Sequence, residues 1–208
     1  LMTNNKPVII WTITDDDSGV KSDTIKLTID STVITTGITK TAITNGFSCS
    51  YTPTTALNDG SHPIKADASD NNGNAATQKS VTFKIDTVPP VLNITAPANN
   101  LITNKAAVTV TGTTNDATSS PVTVTVKLNS GTAAAVTVAA DGSFSKALTL
   151  AEGSNTITVV AKDSAGKTTT VTRTVTLDTV APVIVSVSLA PNPVDAGKTF
   201  IISVKATD

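Results

Sequence analysis

The chain has 208 residues, a formal net charge of −1 and a single cysteine. This charge offers no electrostatic basis for binding nucleic acid or an anionic membrane surface, and one cysteine excludes an internal disulfide. Thr is the most frequent residue, whereas Leu, Glu and Arg are scarce. Because β-branched side chains favour strands and strong helix formers are few, the composition predicts an all-β protein.

Residues 1–87 contain short segments of alternating apolar and polar residues, separated by turn signals. The alternation is clearest around Ile25, Leu27 and Ile29, which are predicted to face a core. Turn residues occur at Asn58–Gly60 and Asn71–Asn74. The predicted strands are Pro7–Ile13, Thr24–Asp30, Gly46–Tyr51, Ile64–Ala68 and Ser80–Ile85. Many short strands at such spacing indicate a β-sandwich.

Residues 88–179 repeat this plan with about seven predicted strands, the number typical of an immunoglobulin-like sandwich. They are Val91–Thr95, Ala107–Gly112, Val122–Leu128, Ala135–Val138, Ser143–Leu150, Asn155–Ala161 and Thr169–Leu177. Residues 180–208 restart the pattern with predicted strands at Val183–Leu189 and Phe200–Ala206. We therefore expect a first domain (1–87) lacking its first strand, a complete second domain (88–179) and the start of a truncated third (180–208).

The segment Asp86–Pro90 is predicted to be a joint between tandem domains. It reads Asp-Thr-Val-Pro-Pro, and it recurs at Asp178–Pro182 as Asp-Thr-Val-Ala-Pro, about 90 residues later, roughly one sandwich domain of chain. Proline fixes φ, removes a backbone donor and extends the preceding residue. The fold class expected is therefore tandem immunoglobulin-like β-sandwiches with short, stiff Pro-containing linkers. With Ala181 in place of one proline, the second joint should be the looser one.

Residues 88–179 resemble the bacterial Ig-like modules found beside glucodextranase-type catalytic domains and in many surface proteins. The matching motifs are Asp141-Gly-Ser-Phe144, Leu150-x-Glu-Gly-x-Asn-Thr-Ile157 and Ala161-x-Asp-x-x-Gly166. Residues 1–87 resemble a related module through Asp15-x-x-Ser-Gly-Val20, Leu57-x-Asp-Gly60 and Asp67-x-x-Asp-x-x-Gly-Asn74. The resemblance implies spacers, adhesin stalks or surface-layer components.

Several aspartates are predicted to converge at the pole where the chain enters each domain. In a sandwich of this type that pole carries the loops after the second and penultimate strands. The expected groups are Asp86, Asp116 and Asp163 in the second unit, Asp178 and Asp208 in the third, and Asp15, Asp16, Asp17 and Asp70 in the first. Calcium binds several carboxylate and carbonyl oxygens, so interdomain calcium is one interpretation. The alternative is that these side chains form ordinary Asx turns in solvated loops.

Other residues give no catalytic pattern. His62, the only histidine, lies at a position akin to a tyrosine corner, which Asn155 fills in the second unit. Cys49 alternates with Phe47 and Tyr51 and is expected to be a small buried side chain, with no nearby basic residue to activate it. A zinc site needs several Cys or His ligands, and the chain has only one of each.

Two surface functions remain open. Asn93-Ile-Thr is a single glycosylation sequon, a pattern that often arises by chance. Carbohydrate binding requires exposed aromatic platforms, whereas the second unit has no Trp or Tyr and Trp11 is expected to face inward.

We therefore expect a non-catalytic, extracellular rod of a bacterial or archaeal surface protein: a stalk, adhesin, surface layer or filament. The alternative is an accessory or carbohydrate-binding module of a secreted polysaccharide-degrading enzyme. Expected partners are other copies of the chain, neighbouring domains of a longer polypeptide, or cell-wall polysaccharide. The incomplete end domains are expected either to be completed by a neighbour's strand or to be pieces of a longer chain.

Overall fold

The structure is a computed structural model that describes residues 1–190, 196–197, 199 and 201–207. Its regular secondary structure is entirely β-strand in those residues, which confirms the predicted all-β class. The described residues include no helix long and apolar enough to cross a membrane.

The first sandwich is built from seven strands in two sheets. The strands are β1 (Ile9–Thr14), β2 (Val20–Ile29), β3 (Thr32–Ile34), β4 (Thr39–Ile43), β5 (Gly46–Tyr51), β6 (Gly60–Asp70) and β7 (Lys79–Ile85). One sheet has the order β1-β5-β4 and the other β3-β2-β6-β7. The predicted inward residues Ile25, Leu27 and Ile29 are 1%, 1% and 5% exposed, so the alternation located the core face correctly. Two short strands, β3 and β4, were not predicted.

The second sandwich has eight strands, one more than predicted. They are β8 (Val91–Ala96), β9 (Leu101–Thr103), β10 (Ala107–Asn115), β11 (Thr123–Leu128), β12 (Ala134–Val136), β13 (Ser143–Thr149), β14 (Gly153–Lys162) and β15 (Thr168–Leu177). A three-stranded sheet of order β13-β10-β8 faces a five-stranded sheet of order β12-β11-β14-β15-β9. The additional strand is β9, which pairs in parallel with β15.

The two sandwiches have separate cores. In the second, Val110, Ile157 and Val175 are fully buried in one cluster that draws on both sheets. In the first, smaller clusters form around Ile25 and Leu27. Among the described residues, no strand of one sandwich pairs with a strand of the other.

The two sandwiches differ at one edge of their three-stranded sheets. In the second, β8 covers the edge of β10, whereas in the first the corresponding edge of β1 carries no strand among the described residues. Met2 nevertheless forms a parallel bridge with Ile85, at the place where β9 pairs with β15. The edge of β1 is thus open among the described residues, while the edge of β7 has a short contact that was not predicted.

The last strands, β16 (Val183–Ala190) and β17 (Ile201–Thr207), form an antiparallel pair whose described side chains are all exposed. Their bounds differ by about one residue from those of the two strands predicted for the third unit. Phe200 and Asp208 lie outside the described residues.

Candidate metal centre

Three aspartates that each follow directly on a strand converge between the sandwiches. Asp86 follows β7 of the first sandwich, Asp116 follows β10, and Asp163 follows β14. Each offers a carboxylate oxygen, and these oxygens lie within 4.8 Å of one another. The side chains are 0%, 8% and 4% exposed. Because β10 and β14 belong to opposite sheets, the cluster joins the end of the first sandwich to both layers of the second.

Each of these carboxylates uses one oxygen in a local turn. The Val88 N–H donates to Asp86 Oδ1 at 3.2 Å, and the Lys167 N–H donates to Asp163 Oδ1 at 2.9 Å. Asp116 Oδ1 accepts from two backbone N–H groups, those of Thr118 and Ser119, at 2.8 and 2.7 Å. The Asx turns proposed as the alternative are therefore present, but they account for only one oxygen of each carboxylate.

The remaining oxygens are the unusual feature of the cluster. Asp86 Oδ2 and Asp163 Oδ2 are buried with no hydrogen-bond partner, and so is the neighbouring Ser119 Oγ. Buried polar atoms normally have partners, and an unpaired one costs roughly 1–3 kcal/mol, more if charged. Two carboxylates of the cluster therefore each have an oxygen without a hydrogen-bond partner in the described chain.

The first sandwich holds the backbone around Asp86. The Asp86 N–H donates to the Met2 carbonyl at 2.9 Å, and both the N–H and the hydroxyl of Thr87 donate to Asp59 at 3.0 and 2.9 Å. On the far side, the Thr169 hydroxyl donates to the Pro90 carbonyl at 2.6 Å. The joint is thus bonded at both ends, with the Asp86 side chain aimed at the second sandwich.

Sequence reasoning missed Asp59, although a signal for it was present. The second joint repeats the contact, since the N–H and hydroxyl of Thr179 donate to Glu152 at 3.0 and 2.8 Å. Asp59 and Glu152 occupy equivalent positions in the repeated Leu-x-acidic-Gly motif. An acidic residue at that position in both units, followed later by Asp-Thr-Val, is therefore the sequence pattern that indicates these hydrogen bonds to the joint threonine.

Asp15 and Asp70 of the predicted first-unit group both form turn contacts and share Ser18 as a hydrogen-bond partner. Asp15 accepts hydrogen bonds from the N–H and hydroxyl of Ser18, and Asp17 is exposed. Hydrogen bonds from the Asn74 side chain and backbone, with one from Ser18, lower the pKa of Asp70. Local turn partners bind Asp15 and Asp70, and calcium binding by this group stays a prediction.

The predicted third-unit pair cannot be compared as a pair, because Asp208 lies outside the described residues. Asp178 is exposed, and its backbone N–H donates to the Thr103 carbonyl at 2.9 Å. This bond is the counterpart of the bond from Asp86 to Met2, so the two joints share their backbone contacts.

The predicted corner positions are structural. Asn155 is fully buried, and it donates to the carbonyls of Ala151 and Gly153 at 2.7 and 2.9 Å while its Oδ1 accepts the Ala151 N–H. In the first sandwich, His62 replaces it. Its Nε2 lies 2.8 Å from the Asn58 carbonyl and its Nδ1 lies 3.0 Å from Asp30 Oδ2.

Both ring nitrogens of His62 therefore face acceptors, which favours the doubly protonated imidazolium. Burial acts to lower the pKa of His62, but the hydrogen bond to the Asn58 carbonyl and the nearby Asp30 carboxylate outweigh it, so the pKa is raised above its usual value. A histidine held in this way stabilises the corner and has no nucleophile among its hydrogen-bond partners.

Cys49 is 1% exposed and belongs to the first core, as predicted. Burial raises the pKa of its thiol, partly opposed by Lys40. The sequence interpretation overlooked this lysine, which lies opposite Cys49 on β4. The raised pKa nevertheless makes a reactive thiolate unfavourable.

The surface candidates are distributed differently. Asn93 is exposed on β8, so the sequon remains a prediction on an accessible side chain. Trp11 and Tyr51 are partly buried against the first core, and Phe144 is 5% exposed. The described residues thus present no exposed Trp or Tyr for stacking against a sugar.

Comparisons with known families agree with the motifs. Residues 90–179 match the family model described as glucodextranase, domain B, and residues 3–87 match the bacterial Ig-like domain. Each segment is similar to the family whose model it matches. The predicted resemblance is therefore confirmed, and such modules occur in surface or secreted proteins.

Three relatives illustrate the likeness. Bacillopeptidase F of Bacillus subtilis (strain 168) is 33% identical over 114 residues, which is 55% of this chain but only 7% of that protein. The fibronectin(III)-like modules of Clostridium thermocellum CbhA are 16% identical, with a TM-score of 0.43 over 84% of this chain and 87% of theirs. The D00-D0 domain of Intimin is also 16% identical, with a TM-score of 0.39 over 84% of this chain and 94% of that one.

Proposed function

We propose that these Ig-like modules are a non-catalytic spacer in an extracellular surface or secreted protein, fixing the distance between the parts on either side. The observation that carries this proposal is the joint at Asp86–Pro90. Only five residues, two of them prolines, separate Ile85 at the end of β7 from Val91 at the start of β8. Hydrogen bonds to Asp59 and from Thr169 fix both ends of the segment.

A fixed joint suits a spacer because a flexible linker would let neighbouring domains approach each other. The test is the distance distribution between spin labels on the two sandwiches, measured by double electron–electron resonance. Labels are attached to Thr41→Cys and Thr109→Cys, both at exposed positions, in a Cys49→Ala background. We expect a narrow, single distribution.

The matched control replaces Pro89 and Pro90 with Gly and Ser in the same labelled background. This change restores backbone freedom at the joint, so the distribution should broaden. An equally broad distribution in the unaltered chain would contradict the spacer proposal.

The runner-up is carbohydrate binding, as an accessory module of a polysaccharide-degrading enzyme. The match to glucodextranase domain B is the observation in its favour, whereas the partly buried state of Trp11 and Tyr51 argues against it. A glycan array with affinity electrophoresis on cell-wall polysaccharides separates the two: retardation by a defined glycan would favour binding over spacing.

A specific feature of the first sandwich supports self-assembly as an additional role. A groove of about 620 Å³ lies between β1 and the ends of β6 and β7, lined by Trp11, Ala68 and Val81 among others. Ile10 on β1 is 70% exposed. In the second sandwich β8 lies at the corresponding edge, so the occupant we propose is an extended apolar strand from another copy of the chain.

Native mass spectrometry tests this assembly directly. Oligomers that dissociate when Ile10 is replaced by Lys would support strand addition, because an inward or edge charge blocks pairing. A strictly monomeric spectrum at micromolar concentration would remove this role and leave the spacer proposal intact.

A further inference from the structure

We propose that Asp86, Asp116 and Asp163 bind one calcium ion that pins the end of the first sandwich to both sheets of the second. The binding itself stands on the geometry of these residues. Its effect, stiffening the joint, rests on the spacer function proposed above.

The first argument is electrostatic. Three buried carboxylates lie together, and among the described residues no lysine, arginine or histidine forms an ion pair with any of them. Burying charge without a partner is strongly unfavourable. A divalent cation between the carboxylates removes this penalty and supplies the partner that Asp86 Oδ2 and Asp163 Oδ2 lack.

The second argument is ligand chemistry. The donors are all oxygens, which calcium prefers, and no histidine or thiolate is present in the cluster to favour zinc or copper. Two ligands on opposite sides of a calcium ion lie about 4.8 Å apart, because each is about 2.4 Å from the ion. The carboxylate oxygens fall within 4.8 Å of one another, which matches the span across one such ion. Ser119 Oγ is also buried and unpartnered, and the Ser119 N–H donates to Asp116 Oδ1 at 2.7 Å, which makes this hydroxyl a candidate for a further donor.

The third argument is the origin of the three side chains. Asp86 is bonded through its backbone to the first sandwich at Met2, whereas Asp116 and Asp163 end strands in the two opposing sheets of the second. An ion held by all three therefore links the end of the first sandwich to both sheets of the second. Removing it would release the Asp86 side chain from the second sandwich.

Calorimetric titration of the 208-residue chain with calcium chloride tests the binding. We expect about one ion per chain, with a Kd in the roughly 0.1–1 mM range of extracellular calcium modules. At 10 mM calcium, linkage at that affinity should raise the melting temperature by about 5–15 °C relative to chelator. No heat and no shift of melting up to 10 mM calcium would overturn the proposal.

The variant Asp163→Asn separates ligation from simple structural loss. Its Oδ1 can still accept the Lys167 N–H, while its new amide can donate to a neighbouring carboxylate. In calcium the variant should melt below the parent, because a ligand is lost. In chelator it should melt above the parent, because like-charge repulsion is relieved.

The matched control is Asp23→Asn, at an exposed aspartate on β2. It should leave the calcium titration unchanged, and it should melt like the parent both in calcium and in chelator. Unchanged calcium binding in Asp163→Asn, or equal losses in both variants, would refute the assigned site. Repeating the spin-label measurement in calcium and in chelator then isolates the joint. Calcium binding without narrowing of the distance distribution would keep the metal site and refute its stiffening effect, whereas a broad distribution in both conditions would refute the spacer.

Discussion

Replacing Asn155 with Ala should destabilise the second sandwich by about 3 kcal/mol. The side chain is fully buried and makes four hydrogen bonds, three with Ala151 and Gly153 and one with the Asn129 amide. Each contributes roughly 1 kcal/mol net. Because Ala151 is exposed, water can replace part of what is lost, which brings the total below the simple sum.

The single tryptophan provides an internal control for this measurement. Trp11 lies in the first sandwich, so its fluorescence reports that sandwich alone, whereas circular dichroism reports both. In urea with chelator, Asn155→Ala should move the circular-dichroism transition to lower denaturant and leave the fluorescence transition near its original midpoint. Asn155→Asp should lose at least as much as Asn155→Ala, because it loses both donations and buries a carboxylate against the Ala151 and Gly153 carbonyl oxygens. Asn93→Ala, an exposed asparagine on β8, is the matched control. A loss below about 1 kcal/mol for Asn155→Ala, or one equal to that of Asn93→Ala, would refute the corner interpretation.

Three further predictions concern other positions. Since the folded-state pKa of His62 is raised, protonated His62 should stabilise the fold fully below the unfolded pKa of about 6.5, and this stabilisation should be lost as pH rises through the folded pKa. The melting temperature should therefore fall as pH rises over that window. The variant His62→Gln should abolish this pH dependence. Gly112→Ala should cost roughly 2–3 kcal/mol in urea unfolding, because the added Cβ would lie 2.4 Å from the Asn93 carbonyl oxygen; Thr113→Ala, exposed on the same strand, should cost far less. The buried Cys49 thiol should react with a thiol reagent only when urea unfolds the first sandwich; prompt reaction in native buffer would contradict its raised pKa.

Most of the fold follows from local alternation. Ile25, Leu27 and Ile29 all reach the core as predicted, because a strand with one buried face encodes its orientation in every second residue. The strands that escaped prediction are β3, β4 and β9. Two are only three residues long, too short for a period of two to be recognised, and β9 is determined by parallel pairing with β15, a contact distant in sequence.

The candidate site shows the same division between local and long-range information. Convergence of Asp86, Asp116 and Asp163 could be predicted because strand topology alone brings those loop positions together. Asp15 and Asp70 share Ser18 as a hydrogen-bond partner, and Ser18 and Asn74 lie within four residues of them, so calcium binding by this group stays a prediction. The orphaned oxygens could not be predicted, since they depend on the placement of every neighbouring donor.

The parallel pairing of β9 with β15 has a mechanical consequence. Residues 101–103 bond to residues 175–177 in parallel, so strands from the beginning and the end of the second sandwich lie side by side and point the same way. Tension applied through the two joints pulls these strands in opposite directions along their length. Their hydrogen bonds, roughly perpendicular to the pull, are then loaded together in shear instead of being unzipped one at a time. Because β8 precedes β9 in the chain and pairs with β10, the β8–β10 pairing is loaded first. Once β8 has detached, the module should resist force through this seam and unfold only when the whole seam gives way.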